Sequence, residues 1–209
     1  MSTYIFLRHG HSAANKAGLL TGQLPGVGLS QEGSRQAQLL IDRIGKGSID
    51  FLHLSPIERC QLTINPWLLS KNSASMISLS INDGFTEIDF GEWSGKKLST
   101  LRRNPLWKDI QKNPSRVTFP GGESFKMAQR RAVESFEIIR KLRGDKTHLI
   151  VSHSDTIKLV IAKLIGMKLD EFQRLEISPA SFTIFKGDAK NISLLTVNNS
   201  GALGEILGM

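Results

Sequence analysis

Tyr4, Ile5, Phe6 and Leu7 form an unbroken apolar run that leads straight into Arg8, His9, Gly10 and His11. A strand with no polar alternation is buried on both faces, as in a parallel sheet covered by helices. Such sheets bind ligands in the crevice beyond the carboxyl ends of their strands. Arg8 and His9 fall at that place. The plainer reading is a strand end with two solvated side chains, and this stretch alone does not separate the two.

The same pattern recurs along the chain. "IDFLHL" (49–54) predicts a second strand, and Ser55-Pro56 after it reads as a helix cap and first helical residue. Arg59 then falls in the first turn of that helix. "MISLSI" (76–81) predicts a third strand, "HLIVS" (148–152) a fourth that delivers His153, and "SFTIF" and "ISLLTV" a closing pair. Helical spacing fills the gaps. Ala37, Leu40, Ile41 and Ile44 follow a Ser30 cap and end at Gly45. Phe125, Ala128, Ala132, Phe136 and Ile139 share one face, and a helix through Leu159 and Leu164 stops at Gly166. Residues 98–110 read as helical, with Pro105 limiting the first piece. The alternation predicts an α/β fold, a three-layer α/β/α sandwich around a mostly parallel central sheet. One domain is expected over 1–198, followed by a loosely held tail, 199–209.

The 209 residues can enclose a sizeable core. No stretch approaches the roughly 18 apolar residues of a membrane span, and the start lacks a basic, then apolar leader. A cytoplasmic protein with no membrane partner is expected. Cys60 is the lone cysteine, which excludes an internal disulfide and a thiolate zinc site. The net charge of +8 is unevenly placed. Residues 94–118 hold Lys96, Lys97, Arg102, Arg103, Lys108, Lys112 and Arg116 against Asp109, a local net of +6. That segment either attracts anions or is a solvated helical face.

A parallel sheet brings Arg8, His9, Arg59 and His153 to one edge. Two guanidiniums suit a dianionic phosphoryl group, since arginine pairs with its oxygens bidentately. Histidine adds a nucleophile near its working pKa at neutral pH.

These residues resemble the histidine phosphatase superfamily, and so do their surroundings. "RHGHSAANKAGLLTGQLPGVGLSQEGSRQA" is similar to the family's opening stretch. "LSPIERCQLT" resembles its Ser-Pro-x-x-Arg segment, "FTEIDFGEWSG" its Glu-x-x-x-Gly-x-Trp-x-Gly loop, and "PGGES" a further signature. The match extends to about Asn198. It implies the phosphoglycerate mutase-like fold and a covalent phosphohistidine on His9. Arg8, Arg59 and His153 would grip the phosphoryl oxygens, with Asn15 and the backbone at Ser154 as further donors. Glu87 would protonate the leaving oxygen and then activate water. Chemistry alone does not choose Glu87 over Asp89 or Glu92; the family position four residues before Gly91 does. His11, Thr21 and Gly22 are assigned to the substrate, and 94–124 to a variable lid that sets specificity. His11 stands where Glu, Gln or Arg is frequent, and Ser154 where glycine usually follows the histidine.

The resemblance implies a small phosphorylated metabolite as partner, and neither metal nor cofactor. It leaves the natural substrate open, and the oligomeric state too, a homodimer included. A phosphomutase of the phosphoglycerate mutase type is the main alternative. About thirty residues separate the Glu87 loop from "PGGES", few for a cover that keeps water from a phosphoenzyme, which favours hydrolysis. A metal-dependent hydrolase built on His9 and His11 would need further ligands. His53 and His148, inside or before strands, read as structural or packed. A non-enzymatic nucleic-acid-binding protein rests on the basic segment alone, with no recognisable motif.

Overall fold

The structure is a computed structural model and describes residues 1–45, 49–70, 77–142 and 144–208. Its strands are β1 (Ser2–Arg8), β2 (Leu19–Leu20), β3 (Phe51–Leu54), β4 (Ser78–Ile81), β5 (Lys96–Lys97), β6 (Thr147–Ser152), β7 (Phe182–Gly187) and β8 (Ile192–Asn199). Its helices are α1 (Ala13–Ala17), α2 (Gln31–Ile44), α3 (Glu58–Ser70), α4 (Leu98–Leu101), α5 (Leu106–Lys112), α6 (Phe125–Arg140), α7 (Ser154–Leu164) and α8 (Leu203–Leu207).

Among the described residues the main sheet has six strands, ordered β4-β3-β6-β1-β7-β8. The first four run parallel, while β7 and β8 are antiparallel. The closing pair of the sequence reading is this antiparallel edge. The apolar run of β1 divides by strand periodicity. Ile5 and Leu7 pack with Leu40 of α2 and Trp67 of α3 on one face. Tyr4 and Phe6 pack with Phe136 of α6 and Val160 of α7 on the other. Helices thus cover both faces, in the expected three layers. Ser30 accepts from the Gly33 N–H at the start of α2, and Gly45 closes that helix.

Four expectations shift. The second strand is shorter than 49–54, and the third begins at Ser78; Met76 lies outside the described residues. The helix expected from Ser55-Pro56 starts at Glu58. The Ser55 hydroxyl bonds instead to His153 Nε2 at 2.8 Å, and its contact with the Ile57 N–H is long at 3.4 Å. The tail is not loose. Asn199 ends β8, and α8 returns to the sheet with Leu203 only 2% exposed among the core side chains beside α2. Apolar spacing over Leu203, Ile206 and Leu207 was too short to register as a helix. No helix among the described residues is long and apolar enough to cross a membrane.

Leu203→Ala should therefore cost about 2 kcal/mol or more in urea unfolding, as buried Leu→Ala changes do. A loss below about 0.5 kcal/mol, typical of surface sites, would show that α8 adds nothing to the core.

Candidate active site

Parallel pairing puts the ends of β1, β6 and β3 side by side, with Arg8 opposite Ser152 and Leu54 opposite Val151. His9 leaves β1, His153 leaves β6 as the N-cap of α7, and α3 carries Arg59 back over the gap. Arg59 joins all three. Its Nε donates to His9 Nε2 at 3.1 Å, and its Nη2 donates to His153 Nδ1 at 3.0 Å and to the Gly22 carbonyl at 2.9 Å. A guanidinium only donates, so both ring nitrogens facing it carry lone pairs. The other nitrogens then carry the protons. His9 Nδ1 donates to the Gly10 carbonyl at 2.7 Å, and His153 Nε2 donates to Ser55 Oγ. Burial, and after it the Arg59 charge, holds both imidazoles well below the usual histidine range. His9 is thus neutral, with the Nε2 lone pair directed at Arg59.

Arg8 Nε and Arg59 Nη1 are buried and have no hydrogen-bond partner. Orphaned buried donors are costly. An oxyanion ligand would satisfy both.

Arg8, His9 and Arg59 line a cleft of about 150 Å³ with Asn15, Thr21, Gly22, Glu87 and Ser154. His153 is not in that lining; it lies behind, its ring 5.1 Å from that of His9. Its contact with the cleft runs through Arg59. His11 does not line the cleft either, since its Nδ1 is bonded to Ser30 Oγ at 2.8 Å. Its assignment to the substrate therefore has no support in the geometry. Asn15 is the third residue of α1, its Oδ1 accepting from both the N–H and hydroxyl of Ser12. Gly22 has φ +51°, and a Cβ there would lie 2.9 Å from the Ile88 carbonyl oxygen. Only glycine keeps Arg59's carbonyl partner so close to the Glu87 loop.

Glu87 is buried, its Oε1 accepting from the Ile88 N–H at 3.0 Å. Burial and the nearby Asp155 charge push its carboxyl up to about 7, against the pull of Arg59 and Arg8. The loop that carries it is clamped by Arg131, which the sequence reading missed. Arg131 donates to the carbonyls of Gly84, Thr86 and Glu87 and pairs with Glu123 at 2.6 Å. Glu123 in turn accepts from the Asp89 N–H. The glutamate of "PGGES" is thus a support for the Glu87 loop. Arg131 falls just off the apolar stripe of α6, where a cation reads as solvated. Asp155, also missed, lines the cleft at the start of α7.

The histidine phosphatase superfamily (branch 1) model matches residues 4–200. The chain belongs to the histidine phosphatase superfamily. Among its superfamily relatives is phosphoserine phosphatase 1 of Hydrogenobacter thermophilus, 29% identical over 98% of this chain and 96% of the relative. A 2,3-bisphosphoglycerate-dependent phosphoglycerate mutase of Parvibaculum lavamentivorans is 28% identical over 89% and 90%. The alpha-ribazole phosphatase structure from Shigella flexneri superposes with a TM-score of 0.80, 26% identity and 96% and 98% coverage. The superfamily fold is the mostly parallel sandwich described above.

The pH dependence follows from Glu87. Its acid form is present below about pH 7 and lost above it, so kcat/KM for an alkyl phosphate should fall on an alkaline limb centred there. Asp155→Asn removes the neighbouring anion, lets the carboxyl ionise sooner and should move the limb to lower pH. An unmoved limb would rule out that coupling.

Proposed function

We propose that this superfamily enzyme hydrolyses phosphate monoesters of small metabolites through a phosphohistidine on His9, with Glu87 as general acid and base. The observation that carries the reading is Arg59, which touches both imidazoles and still holds one buried donor without a partner. Arg59 and Arg8 bind the phosphoryl oxygens and neutralise the charge that builds in transfer. Arg59 Nε exchanges its bond to His9 Nε2 for a phosphoryl oxygen, which frees the lone pair. His9 Nε2 attacks phosphorus, the P–O bond to the leaving group breaks, and neutral Glu87 gives that oxygen its proton. Glu87, now a carboxylate, takes a proton from water as the water attacks phosphorus and the N–P bond breaks. Phosphate leaves, and both His9 and Glu87 regain their starting states. The Gly10 carbonyl keeps the His9 proton on Nδ1 throughout. His153 acts by fixing Arg59, and Asn15 and Ser154 add polar groups at the rim.

Hydrolysis is favoured over phosphomutase action because the cover between β5 and α6 is short and leaves a path for water. Phosphoserine and alpha-ribazole phosphatases among the relatives point the same way, and the phosphoglycerate mutase relatives point to the other outcome.

Rapid quenching with a labelled phosphate ester should trap acid-labile phosphate on the wild type and none on His9→Ala; label retained in that variant would refute the nucleophile. With 3-phosphoglycerate primed by 2,3-bisphosphoglycerate, free phosphate should form faster than 2-phosphoglycerate. Glu87→Gln should slow alkyl esters far more than an activated aryl phosphate, whose leaving oxygen needs little protonation; equal losses would remove Glu87 from the acid role. Activity should survive EDTA, since the arginines supply the positive charge.

A further inference from the structure

The segment expected to form a basic lid has two unlike sides. All seven of its cations, Lys96 to Arg116, are exposed, and none lines a cavity at the site. Its inner side is aromatic. Trp93, Trp107, Ile110 and Phe119 line a cavity of about 160 Å³, with Phe125 of α6 as a further wall. The Trp93 and Trp107 rings lie nearly parallel, 6.4 Å apart, and Phe119 meets Trp93 edge-on at 5.6 Å. Trp93, Phe119 and Phe125 are each at most 3% exposed, so the core holds these walls in place. Trp107 is only half-buried. The cavity adjoins the phosphoryl cleft, with Leu20, Phe90, Leu98 and Asp155 lining both.

Charge in the two adjoining spaces is one-sided. The cations among the described lining residues are Arg8 and Arg59, both at the phosphoryl end. Asp155 sits at the junction, and the aromatic end offers Gln111 and Gln173 as its polar groups.

Resting on the phosphatase reading, we infer that the aromatic cavity seats the leaving group, and that this group is an uncharged, bulky apolar or aromatic alcohol. Such a group exchanges water for aromatic walls. A carboxylate-bearing leaving group there would lose its hydration without meeting a cation, and would face Asp155. Phosphorylated hydroxy acids are therefore poor substrates for this chain.

The test compares ethyl phosphate, 2-(2-naphthyl)ethyl phosphate and 3-phosphoglycerate, whose leaving groups are all alkyl alcohols. The naphthylethyl ester should exceed ethyl phosphate in kcat/KM by roughly ten- to hundredfold, the worth of burying one aromatic group, and should exceed 3-phosphoglycerate too. In Trp107→Ala the ratio of the two uncharged esters should fall toward one, while Trp107→Phe keeps most of it. The alcohol 2-(2-naphthyl)ethanol should inhibit the wild type competitively, a measurement that needs no variant. Equal kcat/KM for the two alkyl esters, a preference for 3-phosphoglycerate, or no inhibition by the alcohol would overturn the inference. Turnover of no ester, with no label on His9, would instead overturn the phosphatase reading beneath it.

Discussion

Everything at this site depends on one buried guanidinium held between two imidazoles. Arg59 donates to His9, His153 and the Gly22 carbonyl from a position 2% exposed to solvent. Burying a cation costs several kcal/mol unless its donors are met. Here neutral ring nitrogens and a carbonyl meet most of them, and no carboxylate is hydrogen-bonded to the guanidinium among the described residues. Its positive charge is therefore not cancelled by a direct ion pair and remains available to a dianion. A salt-bridged arginine would have to break that pair first.

Burial also acts on the ionisable groups in opposite directions with one useful result. It lowers the two histidines and raises Glu87, since in each case the charged form is the one disfavoured. A neutral nucleophile and a neutral acid follow from the same dry environment. Asp155 sharpens the second effect, and the arginines blunt it. The carboxyl settles near neutrality, where it can give a proton and then take one. That balance needs the Glu87 loop to stay where it is. Arg131 binds the Gly84, Thr86 and Glu87 carbonyls of that loop, and Glu123 fixes Arg131 in turn. Gly33 plays the equivalent part for the loop that carries His9. A Cβ there would run into the His11 carbonyl oxygen, so only glycine lets α2 pack this closely beneath His9.

The sheet and its chemical edge were legible because they are local. An apolar run followed by Arg8-His9, and another followed by His153, state both a buried strand and a polar end in adjacent residues. Arg59 was legible by one further step, from strand to helix. Ser55 was misread because its capping pattern is local while its partner, His153, is 98 residues away. The same limit hid Arg131 and Glu123, whose bonds reach the Glu87 loop, and Asp155, whose charge acts on Glu87 from another element. His11 shows the reverse case. His9 and Ser12 on either side of it line the cleft, but the His11 imidazole is turned to Ser30. The tail was misread because five helical residues carry too little periodicity to outweigh their position at the end.

The segment between the Glu87 loop and α6 was read mainly by its charge, and its apolar side was only partly in view. Leu106, Trp107 and Ile110 follow helical spacing within the charged stretch, and they mark the inner side of α5. Charge alone left an anion-attracting surface and a solvated helical face both open for this segment, and neither reading names its apolar side. The two sides act at different ranges. Exposed lysines and arginines act over about 8 Å at physiological ionic strength, enough to raise the local concentration of a phosphorylated molecule but not to orient it. Aromatic walls act only on contact, so they discriminate by shape and hydration after the phosphate has arrived. Salt should weaken the first effect and leave the second intact. Attraction by the phosphate and selection by the leaving group are therefore separable properties of one short segment. Its divided surface lets substitutions on one side change capture without changing choice.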